Sequence, residues 1–536
     1  MENIVTSFSF LSNKQILFYG YLREFKGKLC YTESKSKKKE GERVELMNEI
    51  LNFLNLVWDV FLQNITFINL LLGIAIVFFE RKSPKSVWAW LLLLYFLPVI
   101  GFVFYLLLGA GMKKRKMFRI KEVEDHISEA IRRQEHQLQS LNIEEFDVNL
   151  SKYTDMVIYN LKTSGAMLTG DNDIDIITDG NDKFERLIED IRNAEHFIHI
   201  QYYIIKNDVL FERIHRELVK KAAQGVEVRI LFDSMGCRTV SHKYWEQLNT
   251  EGIKTAEFFP AVLKRLQLRV NYRNHRKIVV IDNKVGYVGG FNIGKEYISL
   301  DEKFGYWRDT HLRIQGSGIV GLQLRFLLDW NYAAKENLFK SKKYFEAQHP
   351  GNRDGCLMQI ISSGPDTARQ AIHDNYLRLI HKAKERIYIQ TPYFVPDESM
   401  MDALLIAVQS GVEVNIMIPC KPDHPFVYWA SYSYIGELVL AGAKCYTYDK
   451  GFLHAKGIVA DGKVLCFGTA NMDIRSFALN FEVNAIVYNE KKAKEMEAVF
   501  QEDLKDCTEI TKDMYMERKL LIRIKEQISR LVSPLL

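Results

Sequence analysis

The sequence predicts a duplicated α/β fold that is preceded by a pair of membrane-spanning helices. Three observations predict this class: a strand–helix–strand pattern that occurs twice, a His-x-Lys-x4-Asp motif that also occurs twice, and an uncharged apolar stretch at 87–108. The chain has 536 residues, more than one ordinary hydrophobic core supports, so two or more domains are expected.

Composition and charge exclude several classes of protein. A net charge of +5 suits binding to an anionic membrane surface. It is smaller than the positive charge typical of proteins that bind the nucleic-acid backbone, so no nucleic-acid partner is expected. The seven cysteines are scattered without a Cys-x-x-Cys pair, which argues against a zinc site or a disulfide framework. No cofactor is predicted.

The N-terminal segments are interpreted in order. Residues 1–46 carry a basic run but no signal-peptide pattern, and we expect them to be a disordered extension. Residues 47–112 are predicted to form a transmembrane hairpin. Its second span, 87–108, is 22 uncharged residues long, and tryptophans stand near its start, where aromatic rings favour the membrane interface. A first span at about 60–79 is apolar but contains amides; the alternative is one span plus one buried helix.

The orientation of the hairpin follows from its flanking cations. Six Lys or Arg residues lie at 113–121, after the second span, whereas three lie in the link at 80–85. The positive-inside rule therefore predicts a multi-pass protein of the cell membrane whose C-terminal bulk is cytoplasmic. Residues 113–168 are predicted to be a helical connector.

The remainder is predicted to hold two similar domains, 169–345 and 346–536. In the first, strands at 197–203 and 225–233 flank a helix, which is typical of a parallel βαβ unit. The same pattern returns at 387–393 and 411–419. Corresponding segments are separated by 179 to 189 residues, and this steady offset indicates a duplicated domain.

The C-terminal tail carries an apolar helical stripe. Between 516 and 532, basic residues occupy other positions of the helix, and the stripe consists of Leu520, Leu521, Ile524, Ile528 and Leu531. Two interpretations stay open: a helix packed on the protein, or one that lies on the membrane interface.

The two His-x-Lys-x4-Asp motifs are the candidate catalytic residues. In each, a Gly follows seven residues after the Asp, and an Asn follows three residues after that Gly. One short motif can match by chance, but two with the same spacing indicate one site built from two half-sites. The motif residues are His275, Lys277 and Asp282 in the first copy and His454, Lys456 and Asp461 in the second; the asparagines are Asn292 and Asn471.

These residue types suit phosphodiester chemistry. Each motif enters a strand-like run, and residues i and i+2 of a strand share a face, so each His is expected to project beside its Lys. The lysines and asparagines would bind the non-bridging oxygens, while one histidine attacks phosphorus and the other protonates the leaving oxygen. No metal is required. Asp282 and Asp461 are interpreted as holding the strand–loop geometry rather than carrying protons.

The paired motifs resemble the phospholipase D superfamily and, within it, the bacterial cardiolipin synthases. The resemblance covers about Met47 to the end, and it is carried by 80–81, 97–101, 271–277, 306–311, 391–397, 421–424, 451–456, 471–477, Glu482 and 530–536. It implies two phospholipase D-like α/β/α sandwich domains related by a pseudo-twofold axis, with one active site between them. Gly290 departs from the pattern, because a hydroxyl residue is common there; the second half keeps Thr469.

The resemblance also implies an activity. Phosphatidylglycerol of the membrane would give up its phosphatidyl group to a histidine, and a second phosphatidylglycerol would accept it, giving cardiolipin and glycerol. By analogy with the usual order in the superfamily, His275 is expected to be the nucleophile and His454 the acid and then the base. Asp309 and Glu482 are candidates to orient the histidines; the alternative for both is a fold-holding carboxylate. No oligomeric state is predicted.

Two other functions stay open. One is a different enzyme of the same superfamily, such as a phospholipase D hydrolase, a phosphatidylserine synthase or a nuclease. The other is a membrane-anchored scaffold without activity, which the two intact His–Lys pairs argue against. Transfer and hydrolysis differ in whether a lipid alcohol or water reaches the intermediate.

Overall fold

The computed structural model of the chain forms two compact units, Met1–Gly111 and Met112–Leu536, and each is described by itself. The residues described are 48–56, 59, 64–79, 84–105, 134, 151–260, 272–345, 355–367, 369–421 and 423–533. The predicted extension at 1–46, most of the connector before 151 and the predicted domain boundary at 346–354 lie outside these residues.

The first unit contains a helical hairpin with an apolar outer surface. Its helices are α1 (Ile65–Phe79), α2 (Pro84–Phe96) and α3 (Ile100–Phe104). Ile76, Leu94 and Tyr105 form a small buried core between them. The exposed apolar side chains include Phe67, Leu70, Phe78, Trp88, Tyr95 and Phe96.

The predicted second span is interrupted between α2 and α3. Pro98 has no N–H and disfavours helical backbone at the residue before it, which ends α2. Val99 then takes a left-handed φ of 61°, and its N–H donates to Asn69 Oδ1 at 3.1 Å. Asn69 is one of the polar amides within the first predicted span, and this bond gives its side chain a hydrogen-bond partner.

No helix within the described residues has the length and apolar content needed to cross a membrane. The described part of the hairpin lacks 60–63, 80–83 and 106–108. The two-span hairpin stays a prediction.

In the second unit, the first half forms one mixed sheet. Its strands are β1 (Thr169–Asp179), β2 (Phe197–Tyr202), β3 (Glu227–Asp233), β4 (Ile253–Phe258), β5 (Arg273–Asn274), β6 (Ile278–Ile281), β7 (Val285–Gly289) and β8 (Tyr306–Gln315). Apart from β5, they lie in the order β1-β8-β7-β6-β2-β3-β4, with β2, β3 and β4 parallel. The helices are α4 (Thr154–Ser164), α5 (Gly180–Arg192), α6 (Val209–Ala223), α7 (His242–Thr250) and α8 (Ile319–Ala334).

The second half repeats the order of these seven strands and adds β19 at the edge of its sheet. Its strands are β9 (Cys356–Ser363), β10 (Arg386–Gln390), β11 (Phe394–Val395), β12 (Glu413–Pro419), β13 (Lys444–Tyr448), β14 (Gly451–Leu453), β15 (Gly457–Ala460), β16 (Val464–Gly468), β17 (Met472–Asp473), β18 (Asn480–Tyr488) and β19 (Cys507–Glu509). The sheet order is β9-β18-β16-β15-β10-β12-β13-β19. The predicted duplication and the parallel βαβ units are confirmed.

The remaining helices complete the second half. They are α9 (Ala371–Lys382), α10 (Glu398–Gln409), α11 (Pro425–Ala441), α12 (Ile474–Ala478), α13 (Glu490–Asp503), α14 (Lys512–Met516) and α15 (Leu520–Val532). Short 3-10 helices lie at Lys295–Ile298, Leu338–Lys340, Lys342–Tyr344 and Leu504–Asp506.

The helices and sheets stack in layers. Helices α5, α6 and α7 cover the outer face of the first sheet, and α9, α10 and α11 cover that of the second. Between the sheets, α8 and α13 share one core with strands of both halves. Helix α4, within the predicted connector, packs into the outer core of the second half through Met156 and Val157. The two halves therefore bury one common interior.

Short strands cross from each half to the other. Strand β5 pairs in parallel with β18, and β14 pairs in parallel with β8. Each of these short strands immediately precedes a His-x-Lys-x4-Asp motif. The backbone N–H of His275 accordingly donates to the carbonyl of Phe481 at 2.9 Å, and that of His454 donates to Arg308 at 2.6 Å. Each motif is therefore aligned by the opposite half.

The aspartates of the two motifs occupy the hairpin turns after β6 and β15. Both take a left-handed φ of 53°. The Asp282 carboxylate accepts the backbone N–H groups of residues 195, 196 and 197 at 2.6 to 2.9 Å. The Asp461 carboxylate accepts those of residues 384, 385 and 386 at 2.9 to 3.2 Å. Each aspartate thus fastens its turn to the start of the neighbouring central strand.

This geometry predicts the effect of removing the carboxylate. Asp282→Ala leaves buried N–H donors without an acceptor and keeps the left-handed backbone, so we expect a loss of about 3 kcal/mol of stability. Asp282→Asn retains one acceptor and tolerates that backbone, so its loss should be smaller. Thermal unfolding of the purified full chain measures both.

Lys284→Ala is the matched control in the same turn. Its ion pair with Glu195 is exposed and should contribute little. An Asp282→Ala protein that unfolds at the same temperature as Lys284→Ala would contradict the structural role given to the carboxylate.

Candidate active site

The first histidine of the site is held by a carboxylate from the other half. His275 follows β5, and Glu482 lies on β18, the strand with which β5 pairs. His275 Nδ1 lies 2.9 Å from Glu482 Oε1 and 3.1 Å from Oε2. The glutamate is fully buried, and 12% of the imidazole side chain is exposed. An Nδ1 proton donated to Glu482 leaves the Nε2 lone pair free.

The second histidine repeats the arrangement with the halves reversed. His454 follows β14, which pairs with β8, the strand that carries Asp309. His454 Nδ1 lies 2.6 Å from Asp309 Oδ2. Lys456 Nζ also lies 2.7 Å from the same nitrogen. A carboxylate is the stronger acceptor, so we infer that Nδ1 of His454 carries a proton and donates it to Asp309. Lys456 donates instead to the backbone carbonyl of His454.

The motif lysines lie beside their histidines, although not on a strand as expected. The strands begin one residue after each lysine, at Ile278 and Gly457. Lys277 Nζ nevertheless donates to the carbonyl of His275 at 2.6 Å. The chain is extended between β5 and β6 and between β14 and β15. Each His therefore lies on the same side of the chain as its Lys, as it would in a strand.

The two lysines share one electrostatic environment. Burial lowers the pKa of Lys456 to about 8, against the opposing effect of Asp309 and Glu482. Burial also lowers the pKa of Lys277 well below its usual value, with Lys456 adding to the effect. Since the charge of Lys456 also acts on His275 and that of Lys277 acts on His454, the two half-sites form one site. An anionic phosphodiester placed there would favour the charged form of both lysines.

Both imidazoles are held in the neutral form at neutral pH. Burial and then Lys456 lower the pKa of His454 to about 4, while Asp309 opposes the change. Burial also lowers the pKa of His275, with Glu482 opposing. A neutral imidazole with a free Nε2 is the form that can attack an electrophile.

The carboxylates stay charged despite their burial. Burial raises the pKa of Asp309, but Lys456 and His454 outweigh it, and the net pKa is below the usual value. For Glu482, burial is likewise outweighed by His275 and Lys277, so its pKa is also lowered. The site therefore combines two charged carboxylates with the histidines and lysines of the two motifs.

The other sequence-predicted residues lie close by but already have protein partners. Asn292 Oδ1 accepts the N–H of Ile204, and its Nδ2 donates to Tyr297, both at 3.1 Å. Asn471 Nδ2 donates to Asp473 at 3.0 Å. The Thr469 hydroxyl donates to the Val483 carbonyl at 3.2 Å and accepts its N–H at 2.9 Å. Their contact with phosphate stays a prediction.

The structure explains the departure at Gly290. A Cβ at this position would lie 1.9 Å from Asp309 Oδ1. The glycine is therefore required by the close approach of the carboxylate that holds His454. In the second half, the longer Glu482 leaves room for Thr469 at the corresponding place.

Several residues that support the site were not identified from the sequence. Arg276 lies between the His and the Lys of the first motif. Its Nη1 donates to both carboxylate oxygens of Asp329, at 2.7 and 2.6 Å, and its Nε donates to the Glu482 carbonyl. The rings of Tyr203 and Trp307 lie 4.9 and 5.1 Å from His275 and His454. Arg276 and Trp307 lie in resembling segments, whereas Tyr203 lies only in the predicted strand at 197–203. No sequence signal pairs them with their partners, which are distant in the chain.

A further polar contact lies near the second half-site. Tyr393 donates a hydrogen bond to Asp423, the residue before His424, and the His424 side chain is mostly exposed. The negative charge of Asp423 acts to raise the pKa of Lys456. Within the described residues, no group of three or more His, Cys, Asp or Glu side chains could hold a metal ion.

Family models match both parts of the chain. A model described as cardiolipin synthase, PLD-like domain, matches residues 187–306 and 376–504. A second, described as phospholipase D-nuclease N-terminal, matches residues 67–109. The two matches of the first model fall on the two halves that carry the motifs.

Curated relatives match almost the whole chain. The major cardiolipin synthase ClsA of Bacillus subtilis (strain 168) is 48% identical over 476 residues, which cover 88% of this chain and 97% of the relative. A cardiolipin synthase of Staphylococcus aureus (strain Mu50) is 47% identical over 495 residues, which cover 92% and 100%. That of Oceanobacillus iheyensis is 46% identical over 477 residues, which cover 89% and 99%.

A solved structure supports the fold. The phosphatidylserine synthase of Haemophilus influenzae Rd KW20 matches with a TM-score of 0.55 at 15% identity, covering 72% of this chain and 100% of that one. At this identity the likeness shows the fold alone. The duplicated motifs, the two interlocked halves and the curated relatives together show that the chain belongs to the bacterial cardiolipin synthases of the phospholipase D superfamily.

Proposed function

We propose that the chain is a cardiolipin synthase that transfers a phosphatidyl group from one phosphatidylglycerol to another through a phosphatidyl-histidine intermediate. The observation that carries the proposal is the pair of His–carboxylate contacts, each made between opposite halves and each beside a buried lysine. The membership of the chain in the cardiolipin synthase family supports the same reaction.

In the first half-reaction, Nε2 of His275 attacks the phosphorus of phosphatidylglycerol. The bond from phosphorus to the glycerol oxygen breaks as the bond from nitrogen to phosphorus forms. His454 donates a proton to the leaving oxygen, and free glycerol departs. Glu482 stabilises the positive charge that develops on the His275 ring.

In the second half-reaction, the terminal hydroxyl of another phosphatidylglycerol is the nucleophile. His454 takes its proton as the oxygen attacks phosphorus, and the nitrogen–phosphorus bond breaks. The products are cardiolipin and the original enzyme. Phosphorylation of Nε2 leaves Nδ1–H bound to the carboxylate, so His275 stays in place between the two steps.

Lys277 and Lys456 stabilise the charge on the non-bridging oxygens. Fixed cations in a buried site act more strongly than cations in water. Binding of the anionic phosphate raises the pKa of His454, which supplies the protonated acid that the free site lacks. We infer that Asn292, Asn471 and Thr469 contribute contacts at the same oxygens or hold the groups that do.

The substrates place the enzyme at a membrane. We infer that the N-terminal hairpin anchors the chain in the cell membrane as a multi-pass protein, with the catalytic unit on the cytoplasmic side. The apolar exposed side chains of α1 and α2 and the cations at 113–121 support this topology.

Replacement of either histidine should abolish synthesis. We expect His275→Ala and His454→Ala each to lower cardiolipin formation by about 10³-fold or more, because nucleophile and acid act as a unit. The assay supplies labelled phosphatidylglycerol to membranes containing the protein and resolves the products. Cardiolipin with glycerol supports transfer, and phosphatidic acid would indicate hydrolysis instead.

The control for this experiment is His381→Ala, because His381 lies on the exposed surface of α9. This variant should keep the activity of the unchanged chain. Full cardiolipin formation by both His275→Ala and His454→Ala would rule the mechanism out.

A substrate with a good leaving group separates the roles of the histidines. A p-nitrophenyl ester of phosphatidic acid needs no acid, so His454→Ala should release about one equivalent of nitrophenolate per enzyme and retain the lipid on His275. His275→Ala should release none. Rapid mixing and mass spectrometry of the quenched protein measure both. Lipid retained on His454 in the His275→Ala protein would reverse the assignment.

The carboxylates should move opposite limbs of the pH profile. Glu482 raises the pKa of His275, so Glu482→Gln lowers that pKa and shifts the acidic limb, where the nucleophile is protonated, to lower pH. Asp309 raises the pKa of His454, so Asp309→Asn shifts the alkaline limb, where the acid is deprotonated, also to lower pH. Profiles of kcat at saturating lipid measure these shifts.

Both carboxylate variants should also turn over more slowly at their optimum, since each imidazolium loses its counter-charge. If Asp309→Asn moved the acidic limb and Glu482→Gln the alkaline limb, His454 would be the nucleophile. Purely structural carboxylates would lower the rate and leave both limbs in place.

A further inference from the structure

The C-terminal helix α15 exposes its apolar side and buries its polar side. Glu526 and Ser529 are buried, whereas Leu520 and Leu531 are 72% and 81% exposed. In a helix that only packs on a protein core, the apolar side faces inward. Helix α13 follows that rule, with Met496 and other apolar side chains in the core.

Polar contacts fix this orientation of α15. Glu526 accepts two hydrogen bonds from Arg518, from Nε at 2.7 Å and from Nη2 at 2.9 Å. Arg530 pairs with Glu437 of α11. Ser533 lies 3.2 Å from the Tyr434 hydroxyl of the same helix. Glu526 thus fastens α15 to the segment before it, and Arg530 and Ser533 fasten its end to α11. Turning the apolar side of α15 inward would break these contacts.

The exposed side forms a continuous stripe bordered by cations. At 3.6 residues per turn, its members lie within an arc of about 100°, opposite Glu526. Arg523 and Lys525 are exposed at the two edges of that arc. We call these five side chains the C-terminal stripe: Leu520, Leu521, Ile524, Ile528 and Leu531.

We propose that the C-terminal stripe docks on the surface of a bilayer that carries anionic headgroups. Apolar side chains would enter the boundary of the acyl region, while the bordering cations reach the phosphates above it. A second copy of the chain is the less suitable occupant, since paired stripes would bring Arg523 and Lys525 against like charges. The proposal rests on the proposed function, because both substrates of that reaction stay in the bilayer.

The stripe is connected to the edge of the active site through α11. Lys525 Nζ lies 5.3 Å from the centre of the Trp429 ring on that helix. One turn earlier, Phe426 is exposed where α11 begins, beside Asp423 and His424. Docking of the stripe would thus place the rim of the site next to the headgroups.

Activity in two assays tests the proposal on the full chain. Leu521→Glu combined with Ile528→Glu should lower cardiolipin formation in phosphatidylcholine vesicles containing phosphatidylglycerol by about tenfold or more, because charge opposes insertion. Activity on short-chain phosphatidylglycerol dispersed below its critical micelle concentration should be unchanged. Val209→Glu adds a charge at another exposed apolar residue and should alter neither assay.

A second measurement does not depend on activity. A nitroxide on Ile524→Cys of the reconstituted chain should collide more with oxygen than with a water-soluble nickel complex, and one on Val209→Cys should show the reverse. The signal from labelled native cysteines is subtracted using the unchanged chain.

The remaining outcomes overturn the proposal. An equal loss of activity in both assays would mean that the double variant damages the active site. A change in its oligomeric size, measured by light scattering, would identify a second copy of the chain as the occupant of the stripe. If the unchanged chain made no cardiolipin in either assay, the proposed function would fail, while the nitroxide collisions would still decide the docking.

Discussion

Two ammonium groups and two imidazoles buried in one pocket set the main constraint on this enzyme. Removing such charges from water is costly unless counter-charges lie within contact distance. Asp309 and Glu482 supply them, and both remain ionised because the lysines and histidines outweigh the effect of burial. The rest of the catalytic unit can be understood as the scaffold that brings these two carboxylates to the opposite half.

Strand exchange is how the fold meets that constraint. A strand fixes the direction of its side chains, so pairing β5 with β18 places His275 against Glu482, and pairing β14 with β8 places His454 against Asp309. The motif aspartates fasten the other end of each motif to a central strand. Each histidine is consequently held from both halves, and the common core around α8 and α13 keeps the halves in register.

Local sequence patterns predicted much of this structure. The rest depends on pairing between residues far apart in the chain, which local patterns do not show. The duplication, the parallel strands and the His–Lys pairs follow from periodicity and motif spacing within short windows. The partner of each histidine lies far along the chain, and the sequence left a surface or fold-holding carboxylate as the alternative, more so for Asp309 than for Glu482. The contact that supports the left-handed turn at Val99 and the need for glycine at position 290 involve Asn69 and Asp309, which no local pattern contains.

The strand exchange has a consequence for synthesis on the ribosome. His275 lies at about the middle of the chain, but the strand that aligns it begins only at Asn480. A nascent chain therefore carries the first motif without a competent site until most of the second half has been made. We therefore expect a nascent chain that still lacks β18 and Glu482 to leave intact the lipids of the membrane beside which it is made.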